Sequence, residues 1–401
     1  MLHELPLPPR GLWAHEALTT ILSLASNGLI EVRGDTIRLH NPLVVSDTLK
    51  NVIVPEILRR PPAPLSGNDR RNIIWILTRN LCISSEPGMR SFLRDLGMAV
   101  ARIISGEAMC PDALDPVMPL SILKIEYYEY TRRFGGRGPV SKRHGRAAMP
   151  ALTQALALLG HAYTWFGRAR AGDRSEDLHL NLVEKERVGS MNLYSAVHPV
   201  LYQYYTASHV QEYTSILQLM AAGSIAAKGI SLAGLIDLDS MEIVGIGETG
   251  NRRSIISRDP LPIKSITLAL SSLGDPAAYF RLYKSLVLSA SGYRDSLKRM
   301  HGFTGRIEDA RRTLAQVLAS YSEYLVLYIY TRNNDFLYLA VRELYRASRI
   351  FSGKQVYLCL NPPCPGLKGE TWIPVGEALS TLAYMTKELV YNEIETLGWH
   401  A

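Results

Sequence analysis

The chain has 401 residues, of which 47% are hydrophobic and 20% are charged, and its formal net charge is +7. This composition indicates a folded protein with a sizeable core and room for two or three domains, and it excludes a disordered chain. No apolar run reaches the roughly 18 residues that a transmembrane helix needs. The N-terminus, MLHELPLPPRGLW, has an acid and prolines where a secretory signal has basic residues followed by an apolar run. We expect a cytoplasmic protein that has no membrane partner.

Four cysteines, Cys82, Cys110, Cys359 and Cys364, are too few for a disulfide framework in a chain of this size, so reduced thiols are expected. Two of them lie in the sequence CLNPPC, but no second Cys or His pair with finger-like spacing is nearby to complete a zinc site. We expect neither a metal nor another cofactor. The 33 arginines and 11 lysines are compatible with a thermophilic source and with phosphate recognition, while base composition alone is the alternative.

The N-terminal segment predicts a helix over 14–26 that ends at Asn27-Gly28, followed by two strands, LIEVRG and TIRLH, around a Gly34-Asp35 turn. This is a wing-like module over residues 1–65. A DNA-reading winged helix is an alternative, although no basic recognition helix is present. Residues 55–70, PEILRRPPAPLSGNDR, are rich in proline and predict a linker.

The excess positive charge lies in one segment. Residues 51–174 have 18 basic and 10 acidic residues, whereas the rest of the chain has 26 and 27. The densest stretch is 132–146, RRFGGRGPVSKRHGR, whose glycines and proline predict a turn-rich loop and which has no acid. Its basic residues suit a phosphate backbone: Arg132, Arg133, Arg137, Lys142, Arg143 and Arg146. Solvated surface charge is the alternative reading.

A helix is predicted to begin at Pro150, with one apolar face from Leu152 to Phe166, and to end near Gly167. Beyond it, RARAGDR supplies a second basic cluster, formed by Arg168, Arg170 and Arg174. A helix of about 17 residues is roughly 25 Å long, so the two clusters would lie at opposite ends of one groove.

Two motifs follow the basic segment. DLDSME contributes Asp237, Asp239 and Glu242, which could hold the metal of a nuclease; a solvated strand is the alternative. GIGETG matches a dinucleotide-binding glycine pattern, but the sequence after it predicts a returning strand instead of the required helix. We interpret it as a β-hairpin whose tip carries Asn251, Arg252 and Arg253, either as a basic finger or as an exposed turn.

The remaining sequence is predicted to be largely helical. His198 and His209 would share a face of one helix, but Pro199 makes that helix doubtful. A helix from Ile307 runs to TRNND, the next begins with Asp335 as its N-cap, and a third spans 375–396. The fold class is therefore mainly α with smaller β elements, with a mixed central region over 66–300 and a helical region over 301–401.

Three stretches together resemble the large subunit of archaeal type I-A CRISPR interference complexes: AHEALTTILSLASNGLIEVRGDTIRL, RRFGGRGPVSKRHGR and EYLVLYIYTRNNDFLYLAVRELYRAS. The resemblance implies a non-catalytic antiviral-defence subunit that binds the duplex beside the target and helps recognise a short flanking motif. It also implies contact with the guide RNA complex and a helicase-nuclease. A metal-dependent nuclease and a scaffold whose basic segment docks an acidic protein remain the alternatives.

Overall fold

The computed structural model describes residues 1–8, 12–60, 67–84, 88–117, 140–141, 146–147, 149–171, 174–183, 190–205, 214–229, 241–249, 252–293, 296–299, 306–352, 356–360 and 372–397. The expected mainly α fold with smaller β elements is confirmed. The chain divides into two compact units. Unit 1 is Met1–Tyr194 with Ser240–Pro260, and unit 2 is Ser195–Asp239 with Leu261–Ala401. The predicted limits at residues 65 and 300 do not coincide with this division.

Unit 1 begins with the predicted helix and hairpin. Helix α1 (Trp13–Ala25) ends where Asn27 and Gly28 adopt positive φ angles of 54° and 84°. Strands β2 (Ile30–Arg33) and β3 (Thr36–Leu39) follow, joined at Gly34 with a φ of 57°. A further strand, β1 (Glu4–Pro6), pairs antiparallel with β3, so the sheet has three strands in the order β1-β3-β2.

Three short helices and two longer ones continue unit 1. They are α2 (Pro42–Thr48), a π-helical turn (Leu49–Ile53), α3 (Val54–Arg59), α4 (Gly67–Asn80) and α5 (Met89–Ser105). The predicted linker over 55–70 is therefore wrong where it is described, because Pro55 lies in the first turn of α3, a position that tolerates proline. A 3₁₀ turn (Pro111–Leu114) follows α5.

The predicted reduced thiols are also corrected in unit 1. Cys82 and Cys110 form a disulfide, with Cα atoms 6.0 Å apart, which is within the usual range for such a bond. The bond ties the segment after α4 to the start of the 3₁₀ turn. In unit 2, Cys359 is likewise disulfide-bonded.

Helix α6 (Ala151–Thr164) forms the centre of unit 1. All of its residues are buried, so the predicted single inward face is wrong, because α1, α5 and the sheet strands surround it. Gly160 allows the close approach of α1, since a Cβ there would collide with the main chain of Ala17. The helix ends at Thr164 and not near Gly167, because Trp165 and Phe166 already belong to a strand.

A four-stranded antiparallel sheet completes unit 1. Its strands are β8 (Trp165–Ala171), β9 (Arg174–Leu182), β10 (Met241–Thr249) and β11 (Arg252–Pro260), in the order β11-β10-β9-β8. Two smaller pairs also occur: β4 (Pro116–Val117) with β7 (Met149–Pro150), and β5 (Val140–Ser141) with β6 (Arg146–Ala147).

Unit 2 is built mainly of helices. They are α7 (Ser190–Tyr205, with its first residues in unit 1), α8 (Thr214–Ala226), α9 (Lys264–Ser271), α10 (Pro276–Ala290), α11 (Ile307–Thr331), α12 (Asn334–Ser352) and α13 (Val375–Leu397). Helix α7 continues through Pro199, so the doubt about that helix is wrong; His198 within it is buried, and His209 lies outside the described residues. The cap of α12 is also corrected: the Asn333 side chain, not that of Asp335, accepts a hydrogen bond from the Asp335 N–H at 2.9 Å.

Buried tyrosines join three helices of unit 2. The Tyr279 and Tyr321 hydroxyls lie 2.8 Å apart, and Tyr321 lies 2.9 Å from the Thr386 hydroxyl, which links α10, α11 and α13. A small sheet with the order β12-β13-β14 packs beside these helices: β12 (Leu297–Arg299), β13 (Val356–Cys359) and β14 (Trp372–Pro374). Among the described residues of both units, no helix has the length and apolar character needed to cross a membrane.

Candidate nucleic-acid interface

Two β-hairpins of unit 1 present basic residues at their tips. In the first, Ala171 of β8 is paired with Arg174 of β9. In the second, Thr249 of β10 is paired with Arg252 of β11, so the connection has two residues, as the interpretation of GIGETG required. The predicted returning strand is therefore confirmed, and the dinucleotide-binding helix is absent from this position.

The two tips lie at the same end of the four-stranded sheet. Strands β9 and β10 are neighbours, and their register places Glu176 opposite Gly247. Arg174 precedes Glu176 by two residues and Thr249 follows Gly247 by two, so both tips extend beyond this pair in the same direction. Strands β8 and β11 are the two edges of this sheet, with β9 and β10 between them. At about 4.8 Å per strand, the backbone of Arg174 lies about 10 Å from that of Arg252, and the backbone of Arg170 about 14 Å from that of Arg253.

Arg168 stands further from the tip and is held by an acid. Its Nε donates to Oδ1 of Asp177, directly across the β8–β9 pair, at 2.9 Å. The Asp177 side chain is 4% exposed and that of Arg168 is 42% exposed. The ion pair offsets the charge of Arg168, so this residue contributes less to an anion site than its sequence context predicted.

The second basic cluster is thus placed differently from the prediction. It lies on a β-hairpin and not at the end of a helix, because α6 ends at Thr164 and the chain turns into β8. The predicted groove, with one cluster at each end of a helix of 17 residues, is wrong for this reason. The fold instead places Arg170 and Arg174 at the same sheet end as Arg252 and Arg253, two groups separated by more than 75 positions in the sequence.

The acid-free segment over 132–146 is described only near its end. Val140 pairs antiparallel with Ala147 and Ser141 with Arg146, so Arg146 lies on the second of two short strands. Other predicted site residues lie outside the described residues: Arg132, Arg133, Arg137, Lys142, Arg143 and Asn251.

Net charge distinguishes this segment from the sheet hairpins. Each sheet hairpin, 165–182 and 241–260, has three basic and three acidic residues and is therefore neutral as a whole. The segment 132–146 has six basic residues and no acid. The sheet end therefore supplies arginines at defined backbone positions, and the segment supplies the excess charge.

Of the three carboxylates in the nuclease hypothesis, Glu242 lies within the described residues, and its side chain already accepts hydrogen bonds from protein groups. Its Oε1 accepts hydrogen bonds from Arg258 Nη1 at 2.6 Å and from Asn181 Nδ2 at 2.7 Å. Asp237 and Asp239 lie outside the described residues. In the described ranges, no three His, Cys, Asp or Glu side chains are grouped so that they could hold a metal ion.

The same network continues into α1. The buried Asn181 accepts from the Thr20 hydroxyl at 2.6 Å and donates to Oε2 of Glu16 at 3.3 Å. Glu242 and Asn181 are direct partners in the β9–β10 register, so their side chains share a face of the sheet. These carboxylates hold the sheet against α1.

A buried aromatic cluster beside this network was missed by the sequence analysis. Trp13 Nε1 donates to Nδ1 of His161 at 3.1 Å, and the rings of His161 and His179 have centroids 4.4 Å apart. The Thr164 hydroxyl lies 3.0 Å from Nδ1 of His179. Both imidazoles are fully buried, which suits a role in fixing α6 on the sheet. The alternation in LHLNL was the available signal, since it sets His179 and Asn181 on one strand face.

No family model matches the chain, and no curated protein matches it either.

Proposed function

We propose that the chain is a non-catalytic, nucleic-acid-binding subunit of a CRISPR interference ribonucleoprotein. In this role it holds the backbone of target DNA, contacts the motif beside the target, and binds other protein subunits and guide RNA in the cytoplasm. Pairing between guide and target then supplies most of the sequence discrimination, while the protein supplies backbone contacts.

The observation that carries the proposal is the placement of four arginines at one end of the sheet. Arg170 and Arg174 on one hairpin tip and Arg252 and Arg253 on the next share this end, spread across the width of the four-stranded sheet. Guanidinium groups bind phosphate oxygens in a bidentate geometry, so arginines spread across a sheet end can contact separate phosphates of one nucleic-acid backbone. The acid-free segment over 132–146 adds the long-range attraction that the neutral hairpins lack.

The hydrogen bonds that Glu242 accepts also agree with a binding role. A carboxylate that accepts from both Arg258 and Asn181 has its charge offset by structural partners, which leaves it poorly suited to a catalytic metal. We therefore propose binding without cleavage.

The test is the affinity of the full chain for a short labelled DNA duplex, measured by fluorescence anisotropy over a range of salt concentrations. Alanine at Arg132, Arg133, Arg143 and Arg146 together should weaken binding by about 100-fold and reduce the salt slope by about 3 to 4. The matched control removes four exposed arginines elsewhere, Arg102, Arg281, Arg306 and Arg312, and should change the affinity by no more than about threefold.

An unchanged affinity and salt slope in the first variant would refute the proposal. Cleavage of the duplex that requires Mg²⁺ and is lost in Asp239→Asn would instead support the nuclease hypothesis.

A further inference from the structure

A groove in unit 2 lies between α12 and α13 and has a volume of about 620 Å³. Its size is within the range of ligand and peptide sites in proteins. It is lined by Tyr338, Val341, Arg342, Tyr345, Arg346, Arg349, Ile350 and Lys387. None of these residues belongs to the hairpins of unit 1.

The floor of the groove is apolar and partly open to solvent. Tyr338, Val341 and Tyr345 recur at steps of three and four along α12, which sets them on one helix face. Tyr338 is 67% exposed and Ile350 is 42% exposed, although both are large hydrophobic side chains. An apolar helix face that is left open in this way is typical of a surface that receives another helix.

The rim of the groove is basic. Arg342, Arg346, Arg349 and Lys387 are all exposed. Arg342 has one acidic neighbour, Glu343, at 3.4 Å, whereas the other three have no acidic partner among the described residues. The residues that line the groove include these cations and no acidic side chain, so the groove favours an anionic ligand.

We propose that this groove docks an acidic amphipathic helix of a partner protein. The arginines at 342, 346 and 349 are spaced by four and three residues, about 6 and 4.5 Å along the helix axis. Acidic residues at the same spacing on a packed partner helix lie opposite them, and the apolar residues between those acids fill the floor. This is the arrangement of helix-in-groove recognition, with charged rims that determine the partner.

The described geometry favours a helix over a nucleic acid at this site. Base stacking along a strand needs successive open aromatic rings, but Lys387 Nζ lies over the Tyr345 ring, 4.8 Å from its centroid, which leaves Tyr338 as the open tyrosine of the groove. The floor also contains the aliphatic side chains of Val341 and Ile350, which suit leucine-like anchors.

The experiment measures binding of the full chain to a labelled synthetic helical peptide that has leucines at positions i, i+3 and i+7 and glutamates beside them. Arg346→Glu with Arg349→Glu should weaken binding by about tenfold or more, and Tyr338→Ala by about fivefold. The same arginine variant should gain affinity for a peptide in which lysines replace the glutamates. The matched control, Arg281→Glu with Arg312→Glu, reverses two exposed charges outside the groove and should leave both affinities unchanged.

Three outcomes overturn the proposal. The first is that the glutamate peptide does not bind, and the second is that the groove variant and the control variant bind it equally well. The third is that the peptide does not bind but a poly-thymidine strand does, in a way that depends on Arg346 and Arg349. The substitutions are exposed, and thermal melting of each variant establishes that it is folded. Duplex binding through unit 1 is independent of this site, so failure here leaves that proposal standing.

Discussion

The sheet of unit 1 and the α12–α13 pair of unit 2 use charged side chains in different ways. On the sheet, the largely buried carboxylates of Asp177 and Glu242 each accept from an arginine of a neighbouring strand. On the helix pair, Arg346, Arg349 and Lys387 stand over an apolar floor without an acidic partner among the described residues. Such a pair stabilises the fold, because removing its arginine leaves a largely buried carboxylate without a charge partner. Exposed cations without acids add little to stability and are available for recognition.

The largest effect is expected from Glu242→Ala, which breaks the network in unit 1. It removes the acceptor of Arg258 and one of the two acceptors of the buried Asn181 amide, and should reduce the free energy of unfolding by about 2.5 kcal/mol. Urea denaturation checks this. A loss below about 0.5 kcal/mol, the size expected of a surface change, would contradict the architectural role of this carboxylate.

A smaller change in the free energy of unfolding is expected at high pH, and it arises from the buried tyrosine hydroxyls of unit 2. Burial raises the pKa of Tyr321 from its ordinary 10.0 to about 12. Since the folded state holds this proton more tightly than the unfolded state, the stabilisation is complete below pH 10 and is lost as the pH rises towards 12. The part of this loss that Tyr321 contributes should reach about 2 kcal/mol, and denaturation at a series of pH values, compared with Tyr321→Phe, measures it.

Tyr321→Phe serves as the control for this pH dependence. It removes the titrating group, so the decline between pH 10 and 12 should become shallower than in the parent chain. An identical decline in the two proteins would assign the pH dependence to other groups.

The smallest loss of stability is expected from Glu343→Ala, next to the rim residue Arg342. Its pair with Arg342 is exposed on the arginine side and 3.4 Å long, so stability should change by less than about 1 kcal/mol. The contrast with Glu242→Ala measures the difference between the two regions directly. Equal losses of unfolding free energy in the two variants would show that the carboxylate on the sheet and the one beside the groove contribute equally to stability.

Local patterns in the sequence predict much of the fold. The Asn27-Gly28 stop of α1 follows from the conformational preferences of those residues, and the start of α11 at Ile307 follows from a regular apolar spacing. The hairpin after GIGETG follows from a returning strand without helix signals. Each of these features depends on residues close together in the chain.

Other features depend on residues that are distant in the chain. Helix α6 is buried on every side, so no polar face marks its limits, and the apolar run continues into Trp165 and Phe166 of β8. The pairing of β9 with β10 joins segments that are separated by more than 55 residues. That pairing decides which arginines share a sheet end, and no local pattern reveals it. The Cys82–Cys110 bond likewise closes a separation of 28 residues.

The most direct test of the account concerns the four arginines at the sheet end. The test variant has alanine at Arg170, Arg174, Arg252 and Arg253. The dependence of its duplex affinity on salt concentration is compared with that of the parent chain and with that of the control variant, which has alanine at Arg102, Arg281, Arg306 and Arg312. Each lost phosphate contact lowers the slope of log affinity against log salt by about 0.9, so a decrease of about 2 to 4 is predicted. A slope and affinity equal to those of the control would contradict the assignment of this sheet end to nucleic-acid binding.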